Sequence, residues 1–350
     1  MAAFQQRAYA DQFNARFFVE REAVLRRLRW QDLNGRSARG DRLPMWVLRQ
    51  GQTIIGQLAI SPVQVRWGNQ WLRGGWCQDL IVAPEYRGRG AGVMLVREVL
   101  RTIATETAVA LVGGTNRDSY PLFRAMGFQD VGVLPRYVGL MALTRLVSRG
   151  VADSDAVIQP CDGFDERFDG LWDARETSHT ARVRRNQAWL QWRFSQHPHW
   201  RYSIWASWRH GHLTGYLIGR IGSTAVGRAA LRTYRIVEVV ADPFQAAALL
   251  ARAVREGAER RCRLVRCDLL DASIGSRVLR RYGLWAIPSS NRVLVRVLDP
   301  ASGFGVTRRQ EWFLSAADSD FDLYEPRMSA DEEGFSIGGS VLARTEETRV

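Results

Sequence analysis

The sequence predicts an α/β chain in which one plan, a mixed and mostly antiparallel sheet flanked by helices, occurs twice. Three observations carry that prediction. Apolar runs of strand period alternate with runs at helical spacing. At 350 residues and 46% hydrophobic content the chain is long enough for two cores. The order of elements in residues 1–147 also recurs in residues 157–300.

The elements follow from the N-terminus. Phe17 to Trp30 carries Phe18, Val24, Leu25 and Leu28 at helical spacing, and Asn34 to Asp41 reads as a polar loop. An antiparallel meander comes next: Met45 to Gln50, a turn at Gly51-Gln52, Thr53 to Ile60, Val63 to Trp67, a turn at Gly68-Asn69, and Trp76 to Ala83. Beyond a glycine-rich stretch lie a helix from Val93 to Glu106, a strand from Ala108 to Gly113, a short helix from Ser119 to Met126 and a closing strand region from Val131 to Leu143. In the second copy Leu190-Gln-Trp192 answers Leu28-Arg-Trp30, and Trp205 to Gly211 answers Trp46 to Gly51. A strand from Thr233 to Pro243, a helix from Gln245 to Arg260, a strand from Arg263 to Leu269 and a helix ending at Tyr282-Gly283-Leu284 complete it. A linker near Val147 to Ala156 separates the copies, and residues 301–350 read as a partly flexible extension.

Composition narrows the function classes. No window has the roughly 18 consecutive apolar residues of a membrane span, and the start has no signal-peptide pattern, so a cytoplasmic protein is expected. Four cysteines without a CxxC pair and five histidines without metal spacing predict neither disulfides nor a metal site. His197, His199, His210 and His212 sit beside turns and read as solvated loop residues. The net charge is +13 and every basic residue is arginine. That excess favours anionic partners, but its scatter along both halves speaks against a dedicated nucleic-acid surface while leaving nucleic acid open as a partner.

The glycine-rich stretch, Arg87-Gly-Arg-Gly-Ala-Gly92, stands between a strand and a helix. Such a loop makes an anion site, because free backbone N–H groups and the positive end of the helix dipole converge there. It is neither a Walker A loop nor a dinucleotide GxGxxG. Its surroundings, Val82-Ala-Pro-Glu-Tyr86 followed by Arg87 to Gly92, resemble the signature of the GNAT superfamily of N-acyltransferases. A second stretch, Asn116-Arg-Asp-Ser-Tyr-Pro-Leu-Phe-Arg-Ala-Met-Gly127-Phe128, resembles that family's N-x(3)-A-x-x-L-Y-x-K-x-G-F motif. The resemblance covers residues 1–145 closely and the second half in layout.

That resemblance implies two tandem GNAT-like domains and a donor that is acetyl-coenzyme A or another short acyl-coenzyme A, with no metal. Its pyrophosphate would lie on Arg87, Gly88, Arg89, Gly90, Ala91 and Gly92, and its pantetheine along Leu80, Ile81 and Val82. The N–H of Leu80 would point at the thioester oxygen. Asn116 would reach the pantetheine or the attacking amine, and Phe123 would border the cofactor. Many members carry a tyrosine general acid at the place of Phe123, so the protonation step needs another donor, with Tyr120, Ser119 and Tyr137 as candidates. Asp79 precedes Leu80 where relatives that acetylate polyamines carry an acid, and is the candidate anchor for the acceptor amine. Histone-type enzymes place a base glutamate where Trp76 stands, which predicts a non-histone acceptor. Trp71 and Trp76, if they face the pocket, favour a short acyl group.

In the second copy the loop after Ala241-Asp-Pro243 lacks glycine and arginine, so it is expected to be degenerate and unable to seat coenzyme A. Arg182 to Phe194 with His197-Pro198 resembles duplicated GNAT-like proteins of bacterial surface-polysaccharide and secondary-metabolite loci, and reads equally as an amphipathic helix with a solvated basic face. Asp318, Asp320 and Asp322 read as a solvated turn or as a site for a cationic acceptor or metal. The expected activity is N-acyl transfer to an amine of a small metabolite or amino sugar, by direct attack in a ternary complex, in a monomer or homodimer. An aminoacyl-tRNA-dependent transferase and a non-catalytic coenzyme A-binding scaffold are the alternatives.

Overall fold

A computed structural model of the chain describes residues 2–9, 20–39, 45–148, 156–174, 181–226, 229–271, 274–305 and 309–322. The linker at 149–155 and the tail after 322, both singled out in the sequence, lie outside the described residues.

The first half opens with helices α1 (Ala2–Tyr9) and α2 (Arg21–Arg39) and strands β1 (Met45–Gln50), β2 (Thr53–Trp67) and β3 (Gln70–Val82). It continues through α3 (Ala91–Ile103), β4 (Val109–Gly113), α4 (Ser119–Ala125), β5 (Gln129–Val133), β6 (Arg136–Leu140) and α5 (Met141–Ser148). The second half contains β7 (Val157–Pro160), α6 (Glu166–Ala174), β8 (Ala181–Val183), α7 (Gln187–Leu190) and a π-helical turn at Gln191–Ser195. After these come β9 (Ser203–Arg209), β10 (His212–Val226), β11 (Ala229–Val240), α8 (Pro243–Glu259), β12 (Leu264–Leu270), α9 (Gly275–Arg281), β13 (Trp285–Ile287), β14 (Arg292–Val297) and β15 (Trp312–Ser315).

Three boundaries differ from the sequence expectation. The helix expected at 17–30 instead runs through Arg39, across the stretch read as a polar loop; Asn34 there donates to Ser61 Oγ and the Pro62 carbonyl. The two strands expected at 53–60 and 63–67 are one, because Pro62 falls where β2 has left β1 and not yet met β8, and proline is tolerated at such an open edge. The closing strand region is β5, β6 and then a helix, whose Met141 and Thr144 turn inward.

The sheet runs β5-β14-β4-β3-β2-β8-β15-β12-β11-β10-β9-β7, with β1 beside β2 and with β6 between β12 and β13. The halves therefore exchange strands reciprocally. β14 of the second half lies between β4 and β5 (Val295 opposite Leu111, Val293 opposite Gly132), while β6 of the first lies between β12 and β13 (Gly139 opposite Val265, Val138 opposite Trp285).

Duplication is also visible at the contact between halves. Trp30 and Trp192, the counterparts noted in the sequence, stack at 4.6 Å with planes 7° apart. Each indole N–H donates to the other residue's carbonyl at 2.8 Å, the arrangement of a local two-fold axis. His197 packs edge-on against Trp30, and its Nδ1 accepts from the His199 and Trp200 amides. It is a neutral core residue: burial, aided by the Arg193 charge, holds its pKa well below the usual histidine value. The expected solvated loop is wrong for this pair, since His199 is also largely covered.

Candidate active site

Strand β3 pairs with β4 only from Gly74 to Cys77, then continues to Val82 while β4 ends at Gly113. The two parallel strands thus part company, leaving a gap beside residues 78–82. On the other side β3 remains bonded to β2, but with a bulge: Gln78 opposes Ala59 and Ile81 opposes Gln57, so Asp79 and Leu80 together face one residue. Asp79 takes φ +53°, which the bulge requires. Ala83 N–H donates to Ile55. By alternation the N–H groups of Leu80 and Val82 face the gap rather than β2.

Asp79 is not open to a ligand cation. Arg27 Nη1 donates to its Oδ2 at 2.8 Å and Oδ1 at 3.1 Å, and Gln31 Nε2 donates at 2.8 Å. Arg27 also donates to Gln5, which donates to Gln57, so a buried polar chain from α1 and α2 locks the bulge. The residue expected to anchor an acceptor is a structural ion pair.

The glycine loop follows. Gly88 and Gly90 have φ +71° and +83°, and a Cβ on either would meet nothing, so conformation rather than crowding demands glycine there. Gly92 differs, since a Cβ would come within 3.0 Å of Leu122 on α4. Gly90 is the N-cap of α3, and no side chain caps that helix. Its first-turn N–H groups consequently point outward from an open helix end, with Ala91 buried behind them and exposed Arg87 and Arg89 alongside. Arg87 Nε donates to the Val82 carbonyl, tying the loop to the strand end.

The remaining candidates are engaged elsewhere. Asn116 Oδ1 accepts from the N–H groups of Asp118 and Ser119 at 3.0 and 2.8 Å, opening α4. Tyr120 donates its hydroxyl to Asp130 at 2.9 Å, and Arg292 of the exchanged strand binds the same carboxylate. Phe123 is a core residue against Phe128. Trp76 is buried with Val63, Leu111 and Trp312, and Trp71 lies at the far end of β3 under Arg66 and Arg184, so neither supports the expectation about acyl length. A cavity of about 680 Å³ between the halves, lined by Asn34, Arg73, Glu106, Arg184, Trp189 and Trp192, also lies at that end.

The second copy repeats this frame with the openings filled. The offset relating Pro84 to Pro243 also relates Asp79 to Glu238 and Gln57 to Tyr216. Glu238 is bound by Arg185 at 2.8 Å and by Tyr216 at 2.8 Å, mirroring the Arg27–Asp79 pair. β11 and β12 part after Ile236 and Cys267, but β15 enters there: Ser315 opposes Leu269 and donates to Glu238, and Asp318 binds Arg185 at 2.7 Å. At the start of α8, Asp242 accepts from the N–H groups of Phe244 and Gln245 at 2.9 Å, so the chain's own carboxylate occupies the anion position. Asp322 is likewise buried against Arg220 and Tyr202. The expected solvated turn at Asp318 to Asp322 is instead a buried ion-pair network, unreadable from a sequence that gives no sign of which arginines face inward.

Comparison with known proteins agrees with this geometry. Residues 6–128 match the Acetyltransferase (GNAT) family. The fold resembles a GCN5-related N-acetyltransferase from Anabaena variabilis, with TM-score 0.61, 16% identity, and 85% of this chain and 70% of that chain covered. It also resembles one from Kribbella flavida, with TM-score 0.54, 18% identity and coverage of 73% and 60%. A third similar structure is a probable N-acyltransferase of Enterococcus faecalis, with TM-score 0.55, 15% identity and coverage of 73% and 62%. A search of curated proteins finds no match. The family match spans both the strand that leaves its neighbour and the glycine loop, and most of the chain shares the fold of these structures.

Proposed function

We propose that the protein is an acyl-coenzyme A-dependent N-acyltransferase, with acetyl-coenzyme A or another short acyl-coenzyme A as donor and an amine of a small metabolite or amino sugar as acceptor. Residues 1–147 hold the reacting groups, and residues 157–300 support them. The observation that carries this reading is the uncapped N-terminus of α3, delivered by a strand whose Leu80 and Val82 amides face an unpaired gap. In this reading the loop from Arg87 to Gly92 seats the pyrophosphate, Leu80 N–H polarises the thioester carbonyl, and Ile81 and Val82 line the pantetheine.

The amine nitrogen attacks the thioester carbon, the C–N bond forms as the C–S bond breaks, and the nitrogen's proton passes to water. The leaving thiolate takes its proton from solvent, as a thiol of ordinary pKa permits near neutral pH. With Phe123 in the core and Tyr120 committed to Asp130, this scheme uses no side-chain acid.

Calorimetric titration of acetyl-coenzyme A into the wild type, Gly90→Ala and Gly90→Glu tests the reading. One site per chain, weakened in the alanine variant and abolished when a carboxylate faces the helix end, is the expected result. Absence of binding in the wild type would remove the proposal. The engaged Tyr120 favours one second reading, a non-catalytic coenzyme A-binding scaffold, which predicts binding without turnover over a broad amine panel.

A further inference from the structure

Large apolar side chains left on the surface are concentrated in one place. Of the twelve exposed ones among the described residues, six fall within Leu140–Val147 and Trp285–Ile287. They surround the corner where β6 turns into α5. Met141 and Thr144 face inward, so the helical period turns Leu143, Leu146 and Val147 outward, Leu146 at 63% exposure. Edge strand β13 pairs with β6, setting Trp285 (58% exposed) opposite Val138 and diagonal to Leu140 (62%). Val147 closes the gap between helix and strand by lying beside Gly283.

The charge around this corner has one sign. Residues 136–148 and 277–287, which form it, contain five arginines and no aspartate or glutamate. Arg145, Arg277, Arg280 and Arg281 are exposed there. The carboxylates that approach from other elements are paired: Asp268 by Arg136 and Arg266, and Glu259, beside Arg145, by Arg252.

We propose that this corner docks on a membrane surface rich in anionic lipid, as a peripheral contact. A tryptophan and three leucines enter the headgroup boundary while the arginines meet phosphates, the chemistry of interfacial basic amphipathic segments. No helix among the described residues is long and apolar enough to cross a bilayer, consistent with a protein that lies on it. A second copy of the chain is the poorer occupant, because a symmetric contact would set arginine against arginine.

Flotation of the full chain with vesicles tests the assignment. Binding is expected to phosphatidylcholine vesicles containing phosphatidylglycerol, not to phosphatidylcholine alone, and to weaken with added salt. Leu143→Gln with Leu146→Gln is expected to lower the partition coefficient about tenfold per leucine. Phe244→Gln, an equally exposed apolar residue elsewhere, leaves it unchanged. Should the double variant fold poorly, Trp285→Ser on the separate strand decides. Several outcomes overturn the proposal: no binding to anionic vesicles, equal binding by wild type and patch variants, or a patch substitution that converts a dimer to a monomer in light scattering.

Discussion

Replacing Arg27 by methionine keeps most of the side chain's apolar stem and removes its charge. In the wild type Arg27 and Asp79 are 2.8 Å apart with side chains only 4% and 2% exposed. Removing one partner of so buried a pair costs about 3–5 kcal/mol, because the survivor is left as an uncompensated charge. Gln5 also loses its donor, worth about 1 kcal/mol, while Gln31 still supports the carboxylate and offsets part of the loss. We expect about 3–4 kcal/mol in urea denaturation at pH 7, and recovery of more than half of it in Arg27→Met/Asp79→Asn. The sign with pH follows. Without Arg27, burial raises the Asp79 pKa in the folded variant above its unfolded value, so the unfolded state holds fewer protons in the window between them. Stability of the variant relative to wild type therefore falls as pH rises through that window, and the deficit at pH 5 is smaller than at pH 8. A loss below about 1 kcal/mol, or one independent of pH, would refute the claim that this pair locks the bulge. If Asp79 instead served the acceptor, Arg27→Met would leave stability intact and lower the amine KM.

Three further outcomes follow from the same contacts. Trp30→Ala removes a buried indole and its bond to the Trp192 carbonyl and should cost about 3–5 kcal/mol, with Trp30→Phe, which keeps an aromatic ring but not the donor, costing less; no loss in Trp30→Phe on denaturation would deny the N–H a role. Burial, then the Arg26 and Arg27 charges, lowers the His199 pKa to about 4 from an unfolded value near 6.5. The neutral imidazole is thus favoured by folding, its contribution is complete above pH 6.5, and it is lost as pH falls toward 4; His199→Gln should flatten thermal stability across that range. Asp242→Ala removes the α8 cap and should cost about 0.5–2 kcal/mol without creating a second acetyl-coenzyme A site, because Ser315 and Asp318 still fill the gap behind it. A calorimetric stoichiometry of two would contradict this.

What the sequence disclosed follows from the range of the interactions involved. The loop from Arg87 to Gly92 was legible because its requirement is local: positive φ at Gly88 and Gly90 is a backbone demand that few other residues meet. The repeat was legible through Trp30 and Trp192 for a related reason, since residues on a two-fold axis meet their own counterparts and stay alike. Asp79 was misread because its partner Arg27 is 52 positions away, on a helix whose inward face cannot be told from a solvated basic one when every cation is arginine. Asp318 and Asp322 failed in the same way, with Arg185 and Arg220 more than a hundred positions distant. Local strand pattern likewise could not show that β6 leaves its own half, as Arg136–Leu140 reads as a strand in either sheet.

The exchange bears on why a copy without a ligand loop persists in the molecule. β14 supplies both the neighbour of β4 and Arg292, which binds the Asp130 carboxylate that also holds Tyr120 at the start of α4. The first copy alone would leave β4 and β5 without the strand between them, and a central strand lost from a sheet leaves unpaired backbone on both sides. The second copy in turn takes β6 and closes its own gap with β15, Ser315 and Asp318. The lent strand covers the edge of β4 away from the gap, and the lender fills its own opening with packed side chains. The second copy therefore acts on the first through strand pairing and buried charge, neither of which calls for glycine or arginine in the turn after Pro243.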